Sequence, residues 1–206
     1  MATFGKTTDG TGASTSTSSR VFCSSASPAT SGTVTGGAAR ISLSASGSVA
    51  AKMAIYSDSS GSPGALLAQS DVLTVTATAE AEHVFTFSAG NETSITTGTP
   101  YWVGVGWAAP GNPPGMTVSR DGTAGGRYEQ TISSWPTLPN PFGTPVANNT
   151  GPIDVYITYT ESGGGSTTQP VVRAAAGASG ASAGAAAVVS KPTGLAVGDL
   201  MLAWQV

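Results

Sequence analysis

The chain has 206 residues, 114 of them Gly, Ala, Ser or Thr, and only 9% are charged, against roughly a quarter in an ordinary soluble domain. Helical surfaces draw on Glu, Lys and Arg, so this composition disfavours a helix-rich fold, whereas 39% hydrophobic residues suffice for a core and argue against disorder throughout. A net charge of −3 offers phosphates no basic field, which disfavours nucleic acid as a partner.

Residues 1–19 are polar, punctuated by glycine, and end in the run Ser14-Thr15-Ser16-Thr17-Ser18-Ser19, which predicts an extended arm outside the core. The first ten residues lack the charged start and apolar stretch of a Sec export signal. Gly5-Lys6-Thr7 matches the end of a phosphate loop, but the first glycine of that motif would precede Met1 and no strand leads into it, so no phosphate role is assigned. Cys23 is the sole cysteine, which leaves no intrachain disulfide, cysteine zinc cluster or CxxC pair, and it reads as a small buried apolar residue.

From residue 40 the hydrophobic period is two, as in strands with one buried face. Ile41, Leu43 and Ala45 form the first apolar set, then Ala51, Met53 and Ile55, then Leu73, Val75 and Ala77, then His83, Phe85 and Phe87. Tyr101, Val103, Val105 and Trp107 share one face of a fifth run, and Ile153, Val155, Ile157 and Tyr159 one face of a sixth. Turn residues separate them, notably Asp58-Ser59-Ser60-Gly61-Ser62-Pro63-Gly64 and Ala89-Gly90-Asn91. Many short alternating strands without a helical period predict an all-β fold, an antiparallel β-sandwich of jelly-roll type over residues 20–160.

Residues 110–145 hold 7 of the 13 prolines, which predicts a long surface loop with one hairpin at its centre, around Met116–Ser119 and Arg127–Gln130. Residues 161–170 read as a flexible Gly/Ser linker closed by Pro170. Residues 171–206 end in the apolar run Leu200–Val206 and are too few for a core of their own, so they read as a partial second β-domain or a tail. Ala174–Ser190, only 17 residues and broken by Gly and Ser, is too short for a membrane span.

Ala54-Ile55-Tyr56-Ser57-Asp58, Gly61-Ser62-Pro63-Gly64-Ala65-Leu66-Leu67-Ala68, Phe85-Thr86-Phe87 and Thr97-Gly98-Thr99-Pro100-Tyr101-Trp102-Val103-Gly104-Val105 together resemble a β-sandwich family found in phage structural proteins and bacterial surface proteins. The likeness covers about residues 20–108. Lys191–Ala203 is similar to the opening of a β-domain of phage minor tail and virion proteins. The resemblance implies a virion surface module, decorating the capsid or belonging to the tail, with glycan binding in some members and no catalytic residue to carry over.

The residues offer little else for chemistry. His83 is the sole histidine, which rules out two- and three-histidine zinc sites and leaves a Ser–His–Asp triad without support. Glu80 and Glu82 point the same way at a strand entrance and read as a solvated strand end, not as a glycosidase pair. Asp9 and Asp58 sit in turns without the D-x-[DN]-x-[DN]-G calcium pattern. No catalytic residue, metal site or cofactor is therefore expected. For a sugar, the candidates are aromatic side chains that could stack on it: Trp102, on the strand face opposite Trp107, with Tyr128 and Trp135 in the proline-rich segment, near Arg127, Glu129 and Gln130.

These features lead to one expectation and one alternative. The expectation is a non-enzymatic phage virion protein, made in the host cytoplasm and carried at the virion surface, docked on major capsid or tail subunits. By analogy it acts as a homo-oligomer, a trimer at capsid local axes or in fibres. The alternative is a glycan-binding module of a secreted or cell-surface bacterial protein. Neither involves nucleic acid or a membrane.

Overall fold

The computed structural model describes residues 1–108, 114–122, 125–148 and 150–162. In chain order its strands are β1 (Ala2–Gly5), β2 (Gly12–Ser16), β3 (Arg20–Ala26), β4 (Gly32–Leu43), β5 (Val49–Asp58), β6 (Pro63–Gln69) and β7 (Leu73–Val75). There follow β8 (Ala81–Thr86), β9 (Ser94–Ile95), β10 (Tyr101–Trp107), β11 (Met116–Arg120), β12 (Arg127–Thr131), β13 (Val146–Asn148) and β14 (Val155–Glu161). Among the described residues the fold is all-β, without a helix, and every strand pairing is antiparallel.

Two seven-stranded sheets result. In the first, β4 is the spine: β8 and β9 lie along one edge, β14 and β11 follow each other along the other, and β1 and β2 form the outermost row against β14 and β11. The second runs β13-β12-β3-β10-β5, with β6 and β7 on the far edge of β5. One buried cluster draws on both sheets, with Ile41, Phe85, Met116 and Ile157 from the first and Phe22, Met53, Val105 and Trp107 from the second. The period-two residues assigned to the core at Ile41, Met53, Ile55, Val103, Val105 and Trp107 all lie there, each at most 1% exposed. A fully buried Ile, Val or Met of this kind contributes about 1.5–3 kcal/mol through apolar area removed from water.

The structure departs from the sequence reading in three places. Residues 1–19 are not an arm outside the fold, because β1 and β2 complete the first sheet and Phe4 is buried between the rings of Tyr101 and Tyr159, at centroid distances of 6.1 and 5.9 Å. Small hydroxylated residues disguise this segment, since backbone pairing and not side-chain burial holds most of it. The hairpin expected around Met116–Ser119 and Arg127–Gln130 does not form: β11 joins the first sheet, and β12 the second, where it pairs with β3 and β13. Glu161, placed at the start of the linker, instead closes β14 and accepts a hydrogen bond from Thr30 Oγ1 at 2.6 Å. The linker beyond Ser162, the segment 171–206 and the short apolar stretch Ala174–Ser190 lie outside the described residues.

Candidate functional site

All seven residues of β10 are buried, because the strand is covered on both faces. Tyr101, Val103, Val105 and Trp107 face the core between the sheets. Trp102 faces the other way, into a second apolar cluster with Val21, Cys23, Ala54 and Tyr56 from the sheet and Ile132, Leu138 and Phe142 from the proline-rich loop. Gly104 and Gly106 follow Trp102 on this face. A Cβ at Gly106 would lie 2.9 Å from Leu138 Cδ2 and 3.1 Å from Ile132 Cδ1, so its bare backbone is the seat on which the loop packs. Backbone bonds and two amide side chains fasten that loop. Phe142 N donates to Gly64 O at 2.8 Å, Leu66 N to Asn140 Oδ1 at 3.1 Å, and Gln130 Nε2 to the carbonyls of Phe142 and Thr144 at 3.0 and 3.1 Å.

The three aromatic candidates all belong to or pack against this cluster. The Trp102 and Tyr128 rings touch edge to face at 5.0 Å, and Tyr128 and Trp135, both half-buried, pack against the cluster. Trp102 itself is only 4% exposed. Its assignment as a platform for a sugar is therefore corrected: the strand face was read rightly, but the loop covers it and the ring serves as floor. Its Nε1 donates to Asp58 Oδ1 at 2.8 Å, and Asp58 Oδ2 accepts from Gly61 N at 3.0 Å, which ties the ring to the 58–61 turn. Tyr128 and Trp135 keep part of their surface in solvent. Arg127 does not join them. It is 3% exposed, its guanidinium lies 4.4 Å from the Phe22 ring centroid, and its Nη1 donates to Ser14 Oγ at 2.5 Å. Burial pulls its pKa below the ordinary arginine value, Glu129 opposes that, and Arg120 adds to it. Glu129 pairs with Arg20 at 2.9 Å and with Arg127 at 3.5 Å. Burial holds the Cys23 thiol well above its usual range and also raises the Tyr56 phenol, so both stay neutral beneath the loop.

The structure also brings together a group with no signal in the one-dimensional pattern. Lys6 Nζ lies 3.1 Å from Asp121 Oδ1 and 3.3 Å from Asp154 Oδ1, and donates to Thr8 O at 2.7 Å and Thr8 Oγ1 at 2.9 Å. Burial works against the ammonium charge, the two carboxylates outweigh it, and the pKa of Lys6 rises. Asp154 is 4% exposed, and its Oδ2 accepts from Gly10 N at 2.6 Å. The lysine singled out in Gly5-Lys6-Thr7 is thus occupied by two carboxylates. It borders a cleft of about 440 Å³ whose wall includes Thr7, Ser25 and Asp121.

The remaining candidates are dispersed. Asp9 pairs with Arg40 Nη1 at 2.9 Å, and Glu80 with Arg40 Nε at 2.6 Å. Glu82 lies beside Tyr156, whose pKa rises through burial first and that carboxylate second. His83 stands opposite Ala39, half-buried, with Nε2 enclosed and lacking a hydrogen-bond partner. Among the described residues, no three or more His, Cys, Asp or Glu side chains are grouped to hold a metal ion. No protein-family model matches the chain, and no curated protein matches it.

Proposed function

We propose that the chain is a non-enzymatic structural protein of a phage virion, a capsid decoration or tail component, whose two sheets form a jelly-roll-type β-sandwich displayed outward from other virion subunits. The observation that carries this reading is the outer row of the first sheet. Among the described residues β1 and β2 each have a strand on one side only, and apart from the buried Phe4 their sequences, Ala-Thr-Phe-Gly and Gly-Ala-Ser-Thr-Ser, hold only small and hydroxylated side chains. Such an edge suits docking by strand pairing, because backbone donors and acceptors are available and no charge on β1 or β2 blocks approach. The sparse surface charge and the resemblance of residues 20–108 to phage structural modules add to it.

Cryo-electron microscopy of the native particle tests the reading. Density for residues 1–160 that repeats at symmetry-related positions, with β1 and β2 against a neighbouring subunit, is the expected result. A chain that never co-sediments with particles would overturn it.

The ring contact of Tyr128 with Trp102, and the packing of Trp135 against the same cluster, favour a second reading, a glycan-binding module of a secreted or cell-surface bacterial protein. There the two half-exposed rings would stack on a sugar and Trp102 would support them. Saturable binding on a glycan array, weakened at least about tenfold by Trp135→Ala, or ~1.4 kcal/mol, is what that reading requires.

A further inference from the structure

We propose that residues 2–16 form an exchangeable strap, and that the edge made by β14 and β11 accepts the same segment of a second copy of this chain. The inference goes beyond the virion reading and stands or falls without it, since the purified protein suffices to test it.

The acceptor edge is shaped to one sequence. Phe4 fills an aromatic socket between Tyr101 and Tyr159. Gly5 has φ of +112°, and a Cβ there would stand 2.6 Å from the Val155 carbonyl oxygen, while a Cβ at Gly10 would collide with the Arg120 carbonyl. Lys6 reaches Asp121 and Asp154, and Gly10 N reaches Asp154. Residues 4–10 supply ring, two glycines and cation in this spacing, so the occupant that matches the edge is this segment and not a strand of unrelated sequence.

The connection to the rest of the chain is short and lies outside the sheets. Thr17, Ser18 and Ser19 join β2 in the first sheet to β3 in the second, and Thr17 and Ser18 are exposed. Two local bonds shape the connector, Ser18 N to Ser16 Oγ at 3.1 Å and Ser16 Oγ to Ser18 O at 3.2 Å, and both are given up if it straightens beyond Ser19, whose carbonyl accepts from Ile132 N at 3.0 Å. The other strap contacts named above reach β14, β11, Tyr101, Asp121, Asp154, Arg40 and Arg127, all outside the strap and its connector, so each is re-formed when the strap lies on a second copy. Exchange of an identical element conserves contact energy, and only connector strain and concentration decide between the closed and exchanged forms. With a short tether the effective concentration of the closed form is on the order of 1 mM, so dilute protein is closed and locally crowded protein exchanges.

Thr15 and Thr117 report which form is present. They are cross-strand partners of β2 and β11, both near the surface, with hydroxyl oxygens 2.8 Å apart. The double variant Thr15→Cys/Thr117→Cys of the full chain is unfolded, refolded at about 10 μM and at about 1 mM, oxidised, and alkylated before non-reducing electrophoresis. The expected result is an internally cross-linked monomer at the low concentration and, at the high one, a third or more of the protein as disulfide-linked dimers and larger species. Cross-linking confined to monomers at both concentrations would overturn the proposal. Thr3→Cys/Thr158→Cys, on the β1–β14 pair, repeats the measurement should the first variant fail to fold.

Discussion

The two buried clusters among the described residues are built on opposite faces of the same strand. Between the sheets, Tyr101, Val103, Val105 and Trp107 of β10 meet the inward faces of both sheets, and the burial is set by strands pairing over long sequence separations. On the outer face, Trp102, Gly104 and Gly106 are covered by a loop held by a few hydrogen bonds and the side chains of Ile132, Leu138 and Phe142. The first cluster opens only when the whole fold does. The second is closed by one irregular segment, and such segments belong to the low-stability end of a structure. Burial alone therefore does not equate the two.

A substitution in each cluster separates them. Trp107→Ala removes a fully buried ring that meets Phe22 edge to face at 4.8 Å, and is expected to cost about 3–5 kcal/mol, read as a lowered denaturant midpoint. Leu138→Ala, under the loop, is expected to cost less, about 2 kcal/mol globally. It should also raise the rate at which Cys23 reacts with a thiol reagent under native conditions by about tenfold, equivalent to ~1.4 kcal/mol of easier local opening. Cys23 is the natural reporter, being fully buried in that cluster. If Trp107→Ala, with its larger loss of global stability, speeds labelling as much as Leu138→Ala or more, the loop is part of one cooperative unit and the contrast fails.

A finer probe lies at the edge of the second cluster. Trp102→Phe keeps a ring on the floor but removes the 2.8 Å bond to Asp58, and a loss of about 1–2 kcal/mol is expected, since hydrogen bonds to charged groups stand at the upper end of the usual range. A double-mutant cycle with Asp58→Ala, read by thermal unfolding, isolates the coupling. Zero coupling would mean that packing within the cluster, and not the bond to Asp58, holds Trp102.

The sequence disclosed the first cluster because its physics is periodic. Strands with one face in a core must alternate, and Met53, Ile55, Val103, Val105 and Ile157 do so visibly. It hid what is not periodic. In β3, Val21, Phe22, Cys23 and Ser24 are buried in succession, because the outer cluster covers the second face, so no alternation marks the strand. In β1 and β2 the reverse holds, as pairing to β14 and β11 needs only a backbone and the polar side chains resemble a free arm. One sign of the covered outer face was present: in Trp102-Val103-Gly104-Val105-Gly106 the outward positions are a large ring followed by two glycines, a pattern for a surface that receives another segment rather than water. Tyr128 and Trp135 could be named as candidates but not joined, since β12, β10 and the loop become neighbours only through sheet topology.

The smallest effect expected belongs to His83, on β8 in the first sheet, away from the loop-covered face. Burial lowers its pKa from the ordinary 6.5, and its enclosed Nε2 has no acceptor to receive a proton's hydrogen bond. Between the folded value and 6.5 the unfolded chain binds more protons than the native one, so stability rises with pH across that window. It should be at its full value above 6.5, fall as the pH drops below it, and level off once the folded ring is also protonated. His83→Gln removes this step. The comparison to make is the slope of unfolding free energy between pH 7 and 5 in the two proteins, by denaturant titration, with Cys23 labelling followed in parallel. A slope that persists in His83→Gln would show that His83 is not its source. A labelling rate that follows the same slope would show that opening of the outer loop tracks the first sheet after all.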